Sequence, residues 1–138
     1  MKTDSLEPTF RNTIGQLIMA AEIATGLDWI VTSCRRTMAE QQKIYDQGRT
    51  TSGPIITKAK PGYSSHNFGL GADLAPMKDG KIWWKAPDSV WKAMADEAVK
   101  LGLEAGYFWK SFHDAPHVQD PDWKTQQQLW KEGKLQLP

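Results

Sequence analysis

A single cysteine among 138 residues, Cys34, leaves the chain without an internal disulfide and without the Cys-x-x-Cys pair that a thiol metal site or redox motif needs. Cys34 therefore reads as a small packing residue. An excess of charge of one sign is missing too. Seventeen basic against sixteen acidic residues give a net charge of +1, which excludes the broad positive field that binds nucleic acid nonspecifically. No apolar run approaches the length that crosses a bilayer, so membrane insertion is not expected. The N-terminal segment carries Asp4, Glu7, Arg11 and Asn12 in place of an uninterrupted apolar stretch, which predicts synthesis in the cytoplasm without a signal peptide. Repeats and low-complexity tracts are absent. The length suits one core, and residues 1–138 are expected to form a single domain and a monomer.

What is present alternates between helical and strand patterns and predicts an α+β fold, a small antiparallel sheet packed by helices. Pro8 suits the first turn of a helix that carries Ile14, Leu17, Ile18 and Ala21 on one face and ends near Gly26. Trp29 to Thr32 is a short β-prone run. Thr37-Met38-Ala39-Glu40 is a capping box opening a second helix that Gly48 closes, which puts Arg36 at a strand-to-helix junction. Residues 49 to 63 are rich in Thr, Gly, Pro and Lys and predict a long loop. Leu70 to Pro76 reads as a strand that returns through the turn Lys78-Asp79-Gly80-Lys81 into Ile82-Trp83-Trp84. Asp88 or Ser89 is expected to cap a third helix stopped by Gly102. A strand pair over 104–107 and 117–119 and a last helix from Asp120-Pro121 to Gly133 complete the expectation.

The chemistry concentrates in two segments, Ser64-Ser65-His66-Asn67-Phe68-Gly69-Leu70-Gly71-Ala72-Asp73 and Asp114-Ala115-Pro116-His117. Two imidazoles and two carboxylates suffice for a three-ligand zinc site with one acid left over as a general base. His66 and Asp73 are seven apart and Asp114 and His117 three apart, odd separations that point to opposite faces of a straight strand. Neither segment can be straight. Gly69 and Gly71 permit a tight loop, and Pro116 interrupts a ladder, so both pairs can converge.

These segments resemble the zinc D-alanyl-D-alanine carboxypeptidase superfamily, whose signature is S-x-H-x-x-G-x-A-x-D followed by E/D-x-x-H. Asp rather than Glu in the later motif is similar to the L-alanyl-D-glutamate endopeptidases of phage lysins and bacilli. Further similarity runs through Ser33-Cys34-Arg35-Arg36-Thr37, Glu40-Gln41, residues 45–50, Ala59-Lys60-Pro61-Gly62 and Phe108 to Phe112, about residues 28 to 119 in all. Gly71 stands where the signature has Ala, and Cys34-Arg35 replaces Gly-Tyr before the motif arginine. The resemblance implies a hedgehog/D,D-peptidase-like fold and one zinc ion held by His66, Asp73 and His117. It implies Asp114 as the general base, and Arg36, or Arg35 beside it, as the cation that stabilises the oxyanion. Ser64 and Gln41 become substrate contacts by hydrogen bonding, and Trp109 a wall of the cleft.

Other residues take plainer readings. His113 lies outside the matched motif and is expected to be a solvated loop residue; Trp29, Trp84 and Trp91 are expected in packing faces. Lys58, Lys60, Lys78 and Lys81 read as a solvated basic face or as contacts to an anionic wall polymer. Three functions remain open at this stage. The favoured one is an L-alanyl-D-glutamate endopeptidase acting on peptidoglycan stem peptides, a phage endolysin released through a holin pore. The second is a D-alanyl-D-alanine carboxypeptidase or dipeptidase, and the third a non-catalytic wall-binding module with a structural zinc.

Overall fold

In the computed structural model, which describes residues 3–138, Glu7 starts the first helix: its carboxylate accepts hydrogen bonds from the Thr9 and Phe10 amides. Pro8 fills the first turn and α1 (Pro8–Thr25) runs until Gly26 takes a left-handed φ of 70°. Phe10, Ile14, Leu17 and Ala21 recur at helical spacing and are buried against the sheet and the third helix. Full burial of a side chain as large as Phe10, Ile14 or Leu17 stabilises the fold by about 1.5–3 kcal/mol.

Strand β1 (Trp29–Ser33) pairs antiparallel with β2 (Gly71–Lys78), and the register shifts by a residue between Val31 and Ser33. The bulge lets Ser33 face Asp73 while the chain leaves the sheet through Cys34 toward the site. Helix α2 (Met38–Asp46) opens with the expected capping box: Thr37 Oγ1 accepts from Glu40 N at 3.1 Å, and Glu40 Oε1 from Thr37 N at 2.8 Å. Residues 49–63 form the expected loop without helix or strand, apart from an isolated bridge from Gln47 to Thr51.

Asp79 and Gly80, at φ of 52° and 74°, turn β2 into β3 (Lys81–Ile82). This strand stops before Trp83. Helix α3 (Asp88–Lys100) departs from expectation at its start. Pro87 is the N-cap and supplies no side-chain bond, whereas Asp88, already helical, accepts from Tyr107 Oη at 2.6 Å. Trp84, expected in a packing face, is 54% exposed and stacks on Trp91 at 6.5 Å. Strands β4 (Glu104–Ala105) and β5 (His117–Gln119) finish the sheet, with β4 shorter than the pattern suggested because Gly106–Phe108 winds into a 3-10 turn. Helix α4 (Trp123–Lys131) follows, and Gly133 lies just beyond it with a left-handed φ of 74°.

The sheet order is β1-β2-β5-β4 with β3 beside β2, and every pairing is antiparallel. Asp73 faces Ser33 on one side and His117 on the other. Residues directly opposite in an antiparallel pair project to the same face, so the sheet register itself brings Asp73 and His117 together.

Candidate metal centre

His66 reaches the same point from outside the sheet. Ser64 caps a 3-10 turn over Ser65–Phe68, its Oγ accepting from His66 N at 3.2 Å, and Gly69 at φ 69° turns the chain into β2. That reversal resolves the odd spacing of seven residues between His66 and Asp73. Gly71 matters for space: a Cβ there would run into Ser65 Oγ, so the buried Ser65 fills the place that an alanine methyl would take. Asp114 is pinned from the other side. Its N–H donates to Gly106 O at 3.0 Å, and Gly106 leaves no room for a Cβ against the Asp114 carbonyl.

One nitrogen from each of His66 and His117 and one oxygen from Asp73 lie within 4.8 Å of one another. Each imidazole is held by a polar partner behind it. His66 Nδ1 lies 2.7 Å from the Cys34 carbonyl, which can only accept, so Nδ1 carries the hydrogen and Nε2 the lone pair. His117 Nε2 lies 2.7 Å from Gln119 Oε1, leaving Nδ1 toward Asp73 Oδ1 at 3.1 Å. His66 Nε2 stands 3.3 Å from Asp73 Oδ1 but out of line for a hydrogen bond. Among the described residues it is a buried side-chain nitrogen without a hydrogen-bond partner. Two ring nitrogens and a carboxylate oxygen converging this way form a donor set that fits a zinc ion, and the backing acceptors are those that metal-binding histidines use.

The electrostatics follow burial and charge. Burial pushes the His66 pKa down. Burial works the same way on His117, yet the hydrogen bond and charge of Asp73 outweigh it and raise that pKa. For Asp73 burial favours protonation, but contacts from His117 and His66 prevail and hold the carboxyl well below the usual range. Asp114 moves the other way: burial, and then the negative charge of Asp73, push its pKa up.

Both histidines, Asp114, Arg36, Ser64 and Trp109 line one cleft of about 750 Å³. Arg36, its pKa lowered by burial against the pull of Asp73 and Asp114, is docked by its backbone: its N–H donates to His66 O at 2.9 Å, and its carbonyl accepts from Asn67 Nδ2 at 3.0 Å. Arg35 turns away. Its guanidinium donates to the carbonyls of Ser5, Asn67 and Phe68 and ties the N-terminal segment to the turn that carries His66.

Gln41 needs correction as a substrate contact. It is 0% exposed, its Oε1 accepts from Arg36 Nη1 at 3.0 Å and its Nε2 donates to Ala59 O at 2.7 Å, so it steadies the arginine from inside. His113 sits exposed on the cleft lining. Sequence reasoning missed Gln119 and Glu104. The alternation along β5 places Gln119 on the face of His117 and was the available signal for it; Glu104 had none.

Residues 3–128 match the family profile described as VanY: D-alanyl-D-alanine carboxypeptidase. The chain is 39% identical over 110 residues to the peptidoglycan L-alanyl-D-glutamate endopeptidase CwlK of Bacillus subtilis (strain 168), an alignment covering 74% of this chain and 66% of that protein, slightly under two thirds of its length. Among solved structures it resembles the L-Ala D-Glu endopeptidase ChiX of Serratia marcescens, with a TM-score of 0.60 and 22% identity over 89% of this chain and 86% of that one. It also resembles a mutant of the vancomycin resistance D,D-pentapeptidase VanY from a VanB-type resistance cassette in complex with Zn(II), with a TM-score of 0.63 and 17% identity over 93% and 79% of the two chains. At those identities the structural likeness shows a shared fold.

Proposed function

Because the chain belongs to the VanY D-alanyl-D-alanine carboxypeptidase family, as the match over residues 3–128 shows, we propose that it is a zinc peptidase that hydrolyses peptidoglycan stem peptides between L-Ala and D-Glu. The observation that carries this reading is the pair of histidines whose backing acceptors leave one ring nitrogen of each turned toward the Asp73 carboxylate, beside a cleft that the two rings line together with Asp114 and Arg36. His66, Asp73 and His117 would hold the zinc ion, which when bound would supply Lewis acidity and lower the pKa of water toward about 7.

The remaining work falls to the side chains. Asp114 takes a proton from the water that attacks the peptide carbonyl carbon, and returns it to the leaving amine nitrogen as the C–N bond breaks. Its raised pKa brings it nearer to neutrality, where a base both accepts and releases a proton well. Arg36, oriented by Gln41, sets a fixed positive charge toward the oxygen that becomes anionic. Ser64 Oγ, accepting from His66 N, keeps its own hydrogen for a substrate carbonyl. Trp109 offers its ring as a wall.

The choice of bond rests on two supports, the 39% identity to an L-alanyl-D-glutamate endopeptidase and Asp114 in the place where Glu marks the carboxypeptidase branch. The family's own description favours a second reading, release of terminal D-Ala. An endolysin role, with synthesis in the cytoplasm and release through a holin pore, extends the first reading. Mass spectrometry of purified stem peptides digested with zinc-loaded protein separates these. A new amino terminus at D-Glu, lost on chelation and in Asp114→Asn, is the expected product; free D-Ala moves the assignment to the carboxypeptidase. Wall binding without cleavage in either form marks a binding module. Lysis of wall-exposed cells from outside, and none from inside without a holin, tests the endolysin role.

A further inference from the structure

Glu104 belongs neither to the ligand set nor to the acid–base machinery, yet it is the far end of a hydrogen-bonded chain that terminates on a ligand. We infer that Glu104 is a positioning residue which, acting through Gln119, fixes the ring nitrogen of His117 that faces the metal centre with a lone pair. The inference rests on the zinc reading given above.

The polarity of the chain can be followed atom by atom. An ionised carboxylate only accepts hydrogen bonds. Glu104 Oε1 accepts from Trp109 Nε1 at 2.9 Å and from Gln119 Nε2 at 3.3 Å. With its NH₂ directed to Glu104, Gln119 presents Oε1 to His117 Nε2, 2.7 Å away. An amide oxygen also only accepts, so Nε2 carries the hydrogen, and Nδ1, 3.1 Å from Asp73 Oδ1, is the nitrogen left to give its lone pair to a metal ion. Ser65 Oγ, 3.3 Å from the same Nε2, can donate or accept and does not decide the matter.

A carboxamide on its own is indifferent between its two orientations. Turned over, Gln119 would offer hydrogens to His117 Nε2; the ring hydrogen would then sit on Nδ1, bonded to Asp73, and His117 would cease to be a metal donor. The negative charge at Glu104 breaks that tie. Gln119 is 7% exposed whereas Glu104 lies open on the cleft lining, so a charge that stays hydrated acts on a ligand that is buried. The same carboxylate holds Trp109, whose ring centroid is 5.3 Å from that of His117, so the cleft wall and the ligand share one anchor.

Zinc affinity of the whole chain, measured by competition with a chromophoric chelator, tests this without relying on activity. Glu104→Gln is expected to weaken binding about 10–100-fold, the usual effect of losing a residue that backs a ligand. Gln119→Leu is expected to do at least as much. The double variant Glu104→Gln/Gln119→Glu exchanges the two groups and restores the polarity: the carboxylate at 119 accepts from His117 and the amide at 104 donates to it. Its affinity is expected to return to within a few-fold of the wild type, and the melting temperature of metal-free Glu104→Gln to stay at the wild-type value. Unchanged affinity in Glu104→Gln, a double variant no better than that single one, or a matching loss of metal-free stability would each overturn the inference. A wild-type chain that takes up no zinc overturns the metal reading and this inference with it, an outcome distinct from tight wild-type binding that ignores Glu104.

Discussion

At the floor of the cleft His66 and His117 are 2% and 5% exposed and each ring is tied to an acceptor behind it, while at the rim Ile55, Ile56 and Phe112 are 56%, 56% and 65% exposed. The floor hangs on β2, β5 and a turn capped by Ser64; the rim hangs on the loop over 49–63 and on the segment after Trp109. A contact between the two rim segments is the Lys58 ammonium, 3.9 Å from the centroid of the Phe112 ring. Phe112 holds a left-handed φ of 56°, uncommon for a bulky residue. The contrast separates two tasks. The residues proposed to meet one ion sit on paired strands and a capped turn, and those proposed to meet a longer substrate sit where the chain can vary without moving the centre.

The largest effect that separates floor from rim is expected from Asp73→Ala, which removes a proposed ligand and the charge that both histidines face. Zinc uptake should be lost and cleavage fall below detection, as read by metal analysis and stem-peptide digestion. Asp114→Asn should divide the floor itself. Cleavage should drop about 10²–10⁴-fold, the range for a lost general base, while zinc affinity stays near the wild type. Its pH signature has a definite sign. The base is the carboxylate form, so kcat/KM should fall as pH falls through a pKa standing above the ordinary 3.8. A carboxyl whose folded pKa is raised favours folding fully below its unfolded pKa and loses that benefit as pH rises through the folded one. Asp114→Asn should therefore melt higher than the wild type at neutral pH, with the gain disappearing in acid.

Gln41→Leu should produce a smaller loss, about tenfold in kcat, because it frees Arg36 without removing the charge. Substrate KM should barely change, which distinguishes a residue that steadies Arg36 from one that touches substrate. Phe112→Gly should give the smallest effect and only at the rim: a few-fold rise in KM with unchanged kcat, and a melting temperature no lower than the wild type because about 1 kcal/mol of left-handed strain is relieved.

The floor was more legible in the sequence than the rim. The capping box at Thr37, the turn at Asp79-Gly80 and the amphipathic face of α1 depend on neighbours a few residues apart, and each formed where the pattern put it. The four site residues His66, Asp73, Asp114 and His117 were legible as a group because glycine and proline showed where the chain must bend. The pairing of Asp73 with His117 was not, since cross-strand register is a property of residues 44 apart. Gln41 was misread for the same reason: the resemblance made it a substrate contact, but only its hydrogen bond to Ala59 O, 18 residues on, decides that its amide points inward. At Asp88 local propensity lost to a tertiary partner, because the Tyr107 hydroxyl engages the carboxylate that would otherwise cap the helix.

Diffraction at the zinc absorption edge from crystals of the zinc-loaded chain tests the central claim most directly. One anomalous peak is expected, bonded to His66 Nε2, an Asp73 carboxylate oxygen and His117 Nδ1, with Gln119 Oε1 still behind His117. A peak at other residues, ligation through His117 Nε2, or no peak at all would contradict it.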